Sequence, residues 1–172
     1  MLTWHFRPLE ATDMEMLHDW LSRPHVAEWW GTPDPMAEVA EYYASSISES
    51  VPFWCYIAEL DGVATGFIQS YTPAAFHDDG WWLDEHDPTV RGIDQYLANA
   101  DQLGRGRGSS MVRAFVAKLL EDPTVTRIQT DPDPSNTRAI RAYEKAGFRA
   151  HGEIVTKDGP ALLMYCDRPH QP

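Results

Sequence analysis

The stretch Gln102-Leu-Gly-Arg-Gly-Arg-Gly-Ser-Ser110 decides how this chain is read. Gly104, Gly106 and Gly108 alternate with Arg105 and Arg107, and two hydroxyls follow at Ser109 and Ser110. Glycine lets the backbone turn tightly and brings main-chain N–H groups close to a ligand. Just beyond, Met111, Val112, Phe115, Val116, Leu119 and Leu120 recur at helical spacing, a stripe that must be buried. A helix starting after such a turn offers unpaired N–H groups and the positive end of its dipole. That combination holds an anion, most often a phosphate. On spacing alone, a glycine-rich turn with solvated arginines is an equally good reading. The spacing is not that of a dinucleotide fingerprint, and no Gly-Lys-Ser/Thr follows to make a P-loop.

Working outward, the run from Gly92 to Ala98 reads as the strand before the turn, and Thr126 to Thr130 as a short strand after the helix. A strand, a glycine turn and a helix put an anion site at the strand's C-terminal end. Asn136 leads into a helix with Ala139, Ile140 and Tyr143 on one face and Gly147 as its C-cap. Phe148–Thr156 and Pro160–Cys166 form a hairpin about Asp158-Gly159, and Phe53–Leu60 and Val63–Tyr71 another about Asp61-Gly62. The segment from Thr72 to Asp87 has no period and reads as a long functional loop. Trp4 to Leu9 is a first strand. Thr12 and Glu15 fit a capping box for a helix that buries Leu17, Trp20 and Leu21 and ends at Pro24. Glu28-Trp-Trp-Gly31 is expected to be a loop, followed by a helix over 35–48. This order of elements implies a mixed α/β sheet. It reads as one domain over residues 1–167, with a disordered tail at 168–172.

Charge is unevenly placed. The chain of 172 residues carries 26 acids against 14 Lys and Arg, a net charge of −12. That balance argues against a nucleic-acid binder, whose affinity comes from neutralising phosphates, and suits a cationic partner. Residues 76–101 hold seven acids and only Arg91, whereas 104–118 hold Arg105, Arg107, Arg113 and Lys118 with no acid. A cation site next to a phosphate site would have this pattern. Cys55 and Cys166 lie in apolar runs and read as buried free thiols in a reducing compartment, the cytoplasm. No metal-ligand spacing of Cys or His is present. No apolar run is long enough to span a membrane, and no signal segment is evident.

The glycine turn, its helix and the run Asn136-x-x-Ala139-Ile140-x-x-Tyr143-Glu-Lys-Ala-Gly147-Phe148 resemble the GCN5-related N-acetyltransferase (GNAT) superfamily. The superfamily has Gln or Arg directly before its glycine run; this chain has Leu103 there, with Gln102 one residue earlier. Further stretches resemble the aminoglycoside 6'-N-acetyltransferases within it: Glu28-Trp-Trp-Gly31, Gln69-Ser-Tyr71, Gly80-Trp-Trp82, Asp87-Pro88, Val90 to Gln95, Leu97 to Ala100, Ile128 to Pro132 and Asp158-Gly-Pro160. The resemblance implies a central, mostly antiparallel sheet flanked by helices, with acetyl-CoA in a V-shaped split between strands. It implies acetyl transfer from acetyl-CoA to the 6'-amine of aminoglycosides of the kanamycin and tobramycin type, and so antibiotic resistance. The partners would be a cationic aminoglycoside and acetyl-CoA, with no metal, nucleic acid or membrane, and the protein a monomer or homodimer.

The residues can be given roles on this basis. Backbone amides from Gln102 and Leu103 through Gly104, Arg105, Gly106, Arg107 and Gly108 to Ser109 would hold the pyrophosphate. Asn136 would flank the pantetheine arm, and strand parity with Asp94 has Tyr96 and Ala98 offering it backbone groups. Asp94 would bind the substrate ammonium and accept its proton, or only anchor it. Tyr143 would protonate the departing thiolate, or be a packed aromatic, or both. Carboxylates at Asp79, Asp94, Asp131 and Asp158 suit substrate ammonium groups. Trp30, Tyr71, Trp81 and Trp82 offer aromatic faces to sugar rings. Each of these taken alone is better explained by solvation or core packing, and Asp131 also suits a turn cap. The histidines, His77 and His86 among them, read as surface or loop residues. Other cationic amines, polyamines or a siderophore hydroxylysine, remain as acceptors, as does a non-catalytic binder of acetyl-CoA or aminoglycoside.

Overall fold

A computed structural model of the chain describes residues 3–169. Its strands are β1 (Trp4–Pro8), β2 (Phe53–Leu60), β3 (Val63–Tyr71), β4 (Val90–Leu97), β5 (Arg127–Thr130), β6 (Arg149–Thr156) and β7 (Gly159–Asp167). Its α-helices are α1 (Met14–Ser22), α2 (Pro24–Trp30), α3 (Met36–Ile47), α4 (Arg107–Leu119) and α5 (Thr137–Ala146). The strands form one seven-stranded sheet in the order β1-β2-β3-β4-β5-β7-β6. The pairs β1–β2, β5–β7 and β6–β7 are antiparallel, and β4–β5 is parallel. The parallel ladder joins only Val90–Gly92 to Arg127–Gln129, although β4 continues to Leu97. The ladder to β5 therefore ends at Gly92, partway along β4.

The chain forms two compact units, Met1–Gln69 with Gln95–Leu103 and Ser70–Asp94 with Gly104–Pro172. The first buries Leu17, Ile57, Phe67 and Ile68 completely, with Phe67 stacked on Tyr96 at 5.3 Å. The second buries Ile93, Met111, Val112, Phe115, Ile128 and Met164 completely. The α4 stripe is buried as its period requires, except that Leu119 and Leu120 are half-buried at its end. The Asp61-Gly62 turn takes φ of 50° and 83°, the left-handed pair that a two-residue hairpin needs.

Several local expectations are corrected. Glu28–Trp30 are helical: Pro24 stops α1 and, as the first residue of α2, starts a new helix that runs to Gly31. The cap before α1 is closed by Asp13, which accepts the Glu10 N–H at 2.9 Å and two bonds from Arg7 at 2.7 Å, not by Thr12 and Glu15. Helix α4 begins at Arg107, four residues before its apolar stripe. Cys55 and Cys166 are both free thiols, but Cys166 is only half-buried. The tail is held at Arg168, whose guanidinium donates to the carbonyls of Val125, Leu120 and Asp122; residues 170–172 lie outside the described residues. Among the described residues no helix is long and apolar enough to cross a membrane.

Candidate active site

The glycine turn has a geometry that fits an anion. Gly104 and Gly106 have φ of 73° and 75°, a region that costs other residues strain. Gly106 is the N-cap of α4 and has no side chain to cap it. Ser109 and Ser110 direct their hydroxyls back to the Gly106 and Arg107 carbonyls, at 3.0 and 2.9 Å. The first-turn amides of Arg107, Gly108 and Ser109 thus have no side-chain cap, and no acid stands in that turn. Arg105 is exposed and Arg107 half-buried beside them. A Cβ on Gly108 would stand 3.9 Å from Ala142, so α4 lies close against α5. These residues fit the pyrophosphate of acetyl-CoA. In the other unit, Gln102 and Leu103 close a 3-10 turn through N–H bonds to Asn99 and Ala100, and the Gln102 side-chain oxygen is buried without a protein partner among the described residues.

The acids and aromatics expected to take the substrate gather around Tyr71. The Tyr71 ring is 3% exposed. Trp82 stacks on it at 4.4 Å, and Trp81 stacks on Trp82 at 5.2 Å. Trp82 donates its indole N–H to Asp131 at 3.1 Å. Burial pushes the Tyr71 phenol well above its usual range, and the charges of Asp94 and Asp131, then Tyr143, act in the same direction. The Asp94 carboxylate is within hydrogen-bonding reach of this buried hydroxyl, and Asp131 and Tyr143 lie near enough for their charges to act on it. Burial, then the charge of Asp94, pushes the Asp131 carboxyl up to about 7 against the pull of the Trp82 indole, with Asp158 adding to the rise.

Other expected residues have different surroundings. Tyr71 cannot lay its ring face against a sugar, because Trp82 covers it; the sequence reading of that role is corrected. Trp30 belongs to the first unit, edge-on to Phe67 at 5.9 Å and Tyr96 at 5.0 Å. Asp79 and Asp158 are exposed. Lys157 donates to the Asp79 carbonyl at 2.7 Å and lies 4.8 Å from the centre of the Trp81 ring, so a cation already occupies that aromatic face. The Ala98 N–H donates to Thr65 O at 2.9 Å and its carbonyl accepts from Arg23 at 2.8 Å, which leaves the second lone pair of that carbonyl as its contact for pantetheine. Tyr96 is buried with its hydroxyl unpartnered among the described residues. Asn136 caps α5 by accepting the Ala139 N–H at 3.1 Å. Tyr143 is packed edge-on to Phe148 at 5.4 Å, and its charge acts on the Tyr71 phenol. His77 and His86 contact each other at 5.0 Å within the long loop. Among the described residues no group of three His, Cys, Asp or Glu could hold a metal.

Two residues of the site escaped the sequence reading. Lys157 gave no signal beyond its place beside Asp158. Gly92 gave one: a glycine inside a strand marks a close approach. A Cβ there would overlap ring carbons of Tyr71.

Comparison with known proteins is consistent with this geometry. Residues 10–156 match the Acetyltransferase (GNAT) domain family. The chain is 53% identical over 161 residues to the aminoglycoside N(6')-acetyltransferase type 1 of Klebsiella pneumoniae, covering 92% of this chain and 80% of that one. Over 84 residues it is 64% identical to a kanamycin resistance protein of Rhizobium radiobacter, covering 49% of this chain and 78% of that one. Its fold superposes with a TM-score of 0.91, at 50% identity and 96% and 95% coverage, on aminoglycoside acetyltransferase AAC(6')-Ib in complex with coenzyme A and kanamycin. These matches make the chain a member of the GNAT acetyltransferase family and, within it, of the aminoglycoside 6'-N-acetyltransferases.

Proposed function

We propose that this enzyme transfers the acetyl group of acetyl-CoA to the 6'-amine of kanamycin- and tobramycin-type aminoglycosides, by direct attack in a ternary complex, and so confers resistance. The observation that supports the residue assignment is the buried Tyr71 hydroxyl, with Asp94 in hydrogen-bonding reach and the charges of Asp131 and Tyr143 acting on it. The first-turn amides of α4, with Arg105 and Arg107, bind the pyrophosphate, and acetyl-CoA supplies the activated acyl group. Asp94 and Asp131 hold the ammonium of the acceptor as counter-charges. Asp94 takes its proton, leaving the amine lone pair free to attack the acyl carbon. As the new C–N bond forms and the C–S bond breaks, Tyr143 gives its phenolic proton to the departing sulfur. Trp82 orients Asp131, and the exposed carboxylates of Asp79 and Asp158 draw the other ammonium groups of the substrate. Residues 1–167 work as one catalytic domain in this reading, supported by the family match across 10–156. The two free cysteines suit the cytoplasm; the active form is a monomer or homodimer.

Thiol release from acetyl-CoA is expected only when kanamycin or tobramycin is added, with mass spectrometry finding one acetyl group at the 6'-nitrogen. Good turnover with polyamines and none with either antibiotic would overturn the substrate. Asp94→Asn is expected to lower kcat by about 10²–10⁴-fold and to leave acetyl-CoA binding nearly intact in calorimetry. An unchanged kcat would remove Asp94 from the chemistry.

A further inference from the structure

We infer that Tyr71 is a positioning residue for the acetyl transfer, one that aims and holds ionised the Asp94 carboxylate through its buried hydroxyl; the inference rests on the Asp94 role proposed above. Four observations carry it. The first is the cradle. Residues 90, 92 and 94 of β4 point to one face of the sheet, and at Gly92 a methyl group would overlap Tyr71 Cε2, Cζ and Cδ2. The tyrosine ring therefore lies over the gap that glycine leaves, one step along the same face from Asp94. The second is the clamp. Trp82 stacks on the ring at 4.4 Å with the planes 22° apart, and Phe76 meets its edge at 6.4 Å. The third is strain. Trp82 reaches this stack with φ of 44°, which is unfavourable for a bulky residue and persists where the surroundings over-determine it. The fourth is the hydroxyl, which is fully buried and meets no protein acceptor at good hydrogen-bond geometry among the described residues. The acceptor within its reach is the Asp94 carboxylate.

A phenol locked in this way can donate but not leave. Its surroundings keep it protonated at every working pH, so it is a constant donor. The groups facing the Asp94–Tyr71 pair are Asp131 after β5, Asp158 in the β6–β7 turn through Asp131, and Tyr143 on α5. Two of these are acids whose charge opposes ionisation of Asp94. A donor on the other side offsets that repulsion and keeps one Asp94 oxygen turned toward the incoming ammonium. Hydrogen bonds of this kind are often long in the free enzyme and tighten when substrate docks. Trp82 then has two roles from one conformation, clamping Tyr71 by stacking and Asp131 by its N–H.

The test is Tyr71→Phe, which keeps the ring, its stack and its fit over Gly92. Aspartates labelled with ¹³C at the carboxyl are titrated by NMR in the wild type and the variant, with the Asp94 signal assigned by its loss in Asp94→Asn. The Asp94 titration is expected to move up by about one pH unit in Tyr71→Phe, a readout that packing loss alone would not give. Kinetically, kcat for kanamycin should fall about tenfold with the KM for acetyl-CoA unchanged. Gly92→Ala, which displaces the ring, should give the same upward titration. An Asp94 titration unmoved in Tyr71→Phe, or a shift confined to Asp131, overturns the inference. A wild type that acetylates no aminoglycoside overturns instead the reading on which it rests, whatever the titration.

Discussion

At the scale of single residues, Asp131 is the most unusual group in the molecule. A carboxyl pushed to about 7 by burial and by Asp94 is half protonated at neutral pH. Its folded value lies above its unfolded one. The stability that proton contributes is therefore complete below about pH 4 and is lost as pH rises through 7, leaving a buried charge at pH 8 and above. Asp131→Asn removes that cost, so its melting temperature at pH 8.5 is expected to exceed the wild type by about 3–6 °C, with no gain below about pH 4. The same change should raise the KM for kanamycin about tenfold, since one counter-charge is gone. In the wild type, kanamycin affinity by calorimetry should rise with pH between 6 and 8, as Asp131 ionises. A flat profile would mean that Asp131 does not face the substrate. Stability surrendered for function is the expected signature of a buried acid in a binding site.

At the scale of elements, the start of α4 is where the proposed cofactor site is built. Both Gly104 and Gly106 sit at left-handed φ with nothing within 4 Å of a would-be Cβ. The cost of substitution there is one of backbone conformation alone, about 1–2 kcal/mol. Gly106→Ala is expected to raise the KM for acetyl-CoA about tenfold while the KM for kanamycin stays within about twofold, because only the amide cradle is retwisted. Equal effects on both substrates would argue that the turn is merely structural. This element was legible in sequence because glycine at a tight turn is a local demand. So were the two hairpins, whose turn residues act over a few positions. Helix α2 was not. The tryptophans at Trp29 and Trp30 read as a loop rim because Pro24 was taken as a stop, although proline starts helices as readily as it ends them. The Asp13 cap was missed for a different reason: its partner Arg7 comes from β1, and a capping pattern says nothing of a competing ion pair.

At the scale of the whole molecule, charge sorts the two substrates. The net charge is −12, and the acids crowd the loop between β3 and β4 that carries Trp81 and Trp82. A polycation is drawn to such a field and an anion such as acetyl-CoA is repelled, except at the arginine-bearing turn. Raising salt from 20 to 500 mM should therefore lower kcat/KM for kanamycin about tenfold or more and leave or raise that for acetyl-CoA. Parallel decline of both would show that screening of the global field is not what sets the rates. The fold serves this division by ending the β4–β5 ladder at Gly92, so that Asp94 lies on a strand that no longer has its β5 neighbour.

Beyond the candidate pair Asp94 and Tyr143, which the family resemblance supplied, the sequence by itself determined the alternation of strands and helices, the two hairpins and the glycine turn. These follow from rules that act within a few residues: period, turn chemistry and cap chemistry. Tertiary structure alone decided what each aromatic and carboxylate does. Tyr71, Trp82, Asp94, Asp131 and Tyr143 come from five separate stretches of chain, and only folding brings their charges and rings together around one hydroxyl. It also showed that Tyr71 is covered rather than open, that the Ala98 backbone is already bonded, and that Lys157 occupies the face of Trp81. Burial and proximity between distant segments set a side chain's pKa, its partners and its exposure, and neither is written in the local pattern of residues.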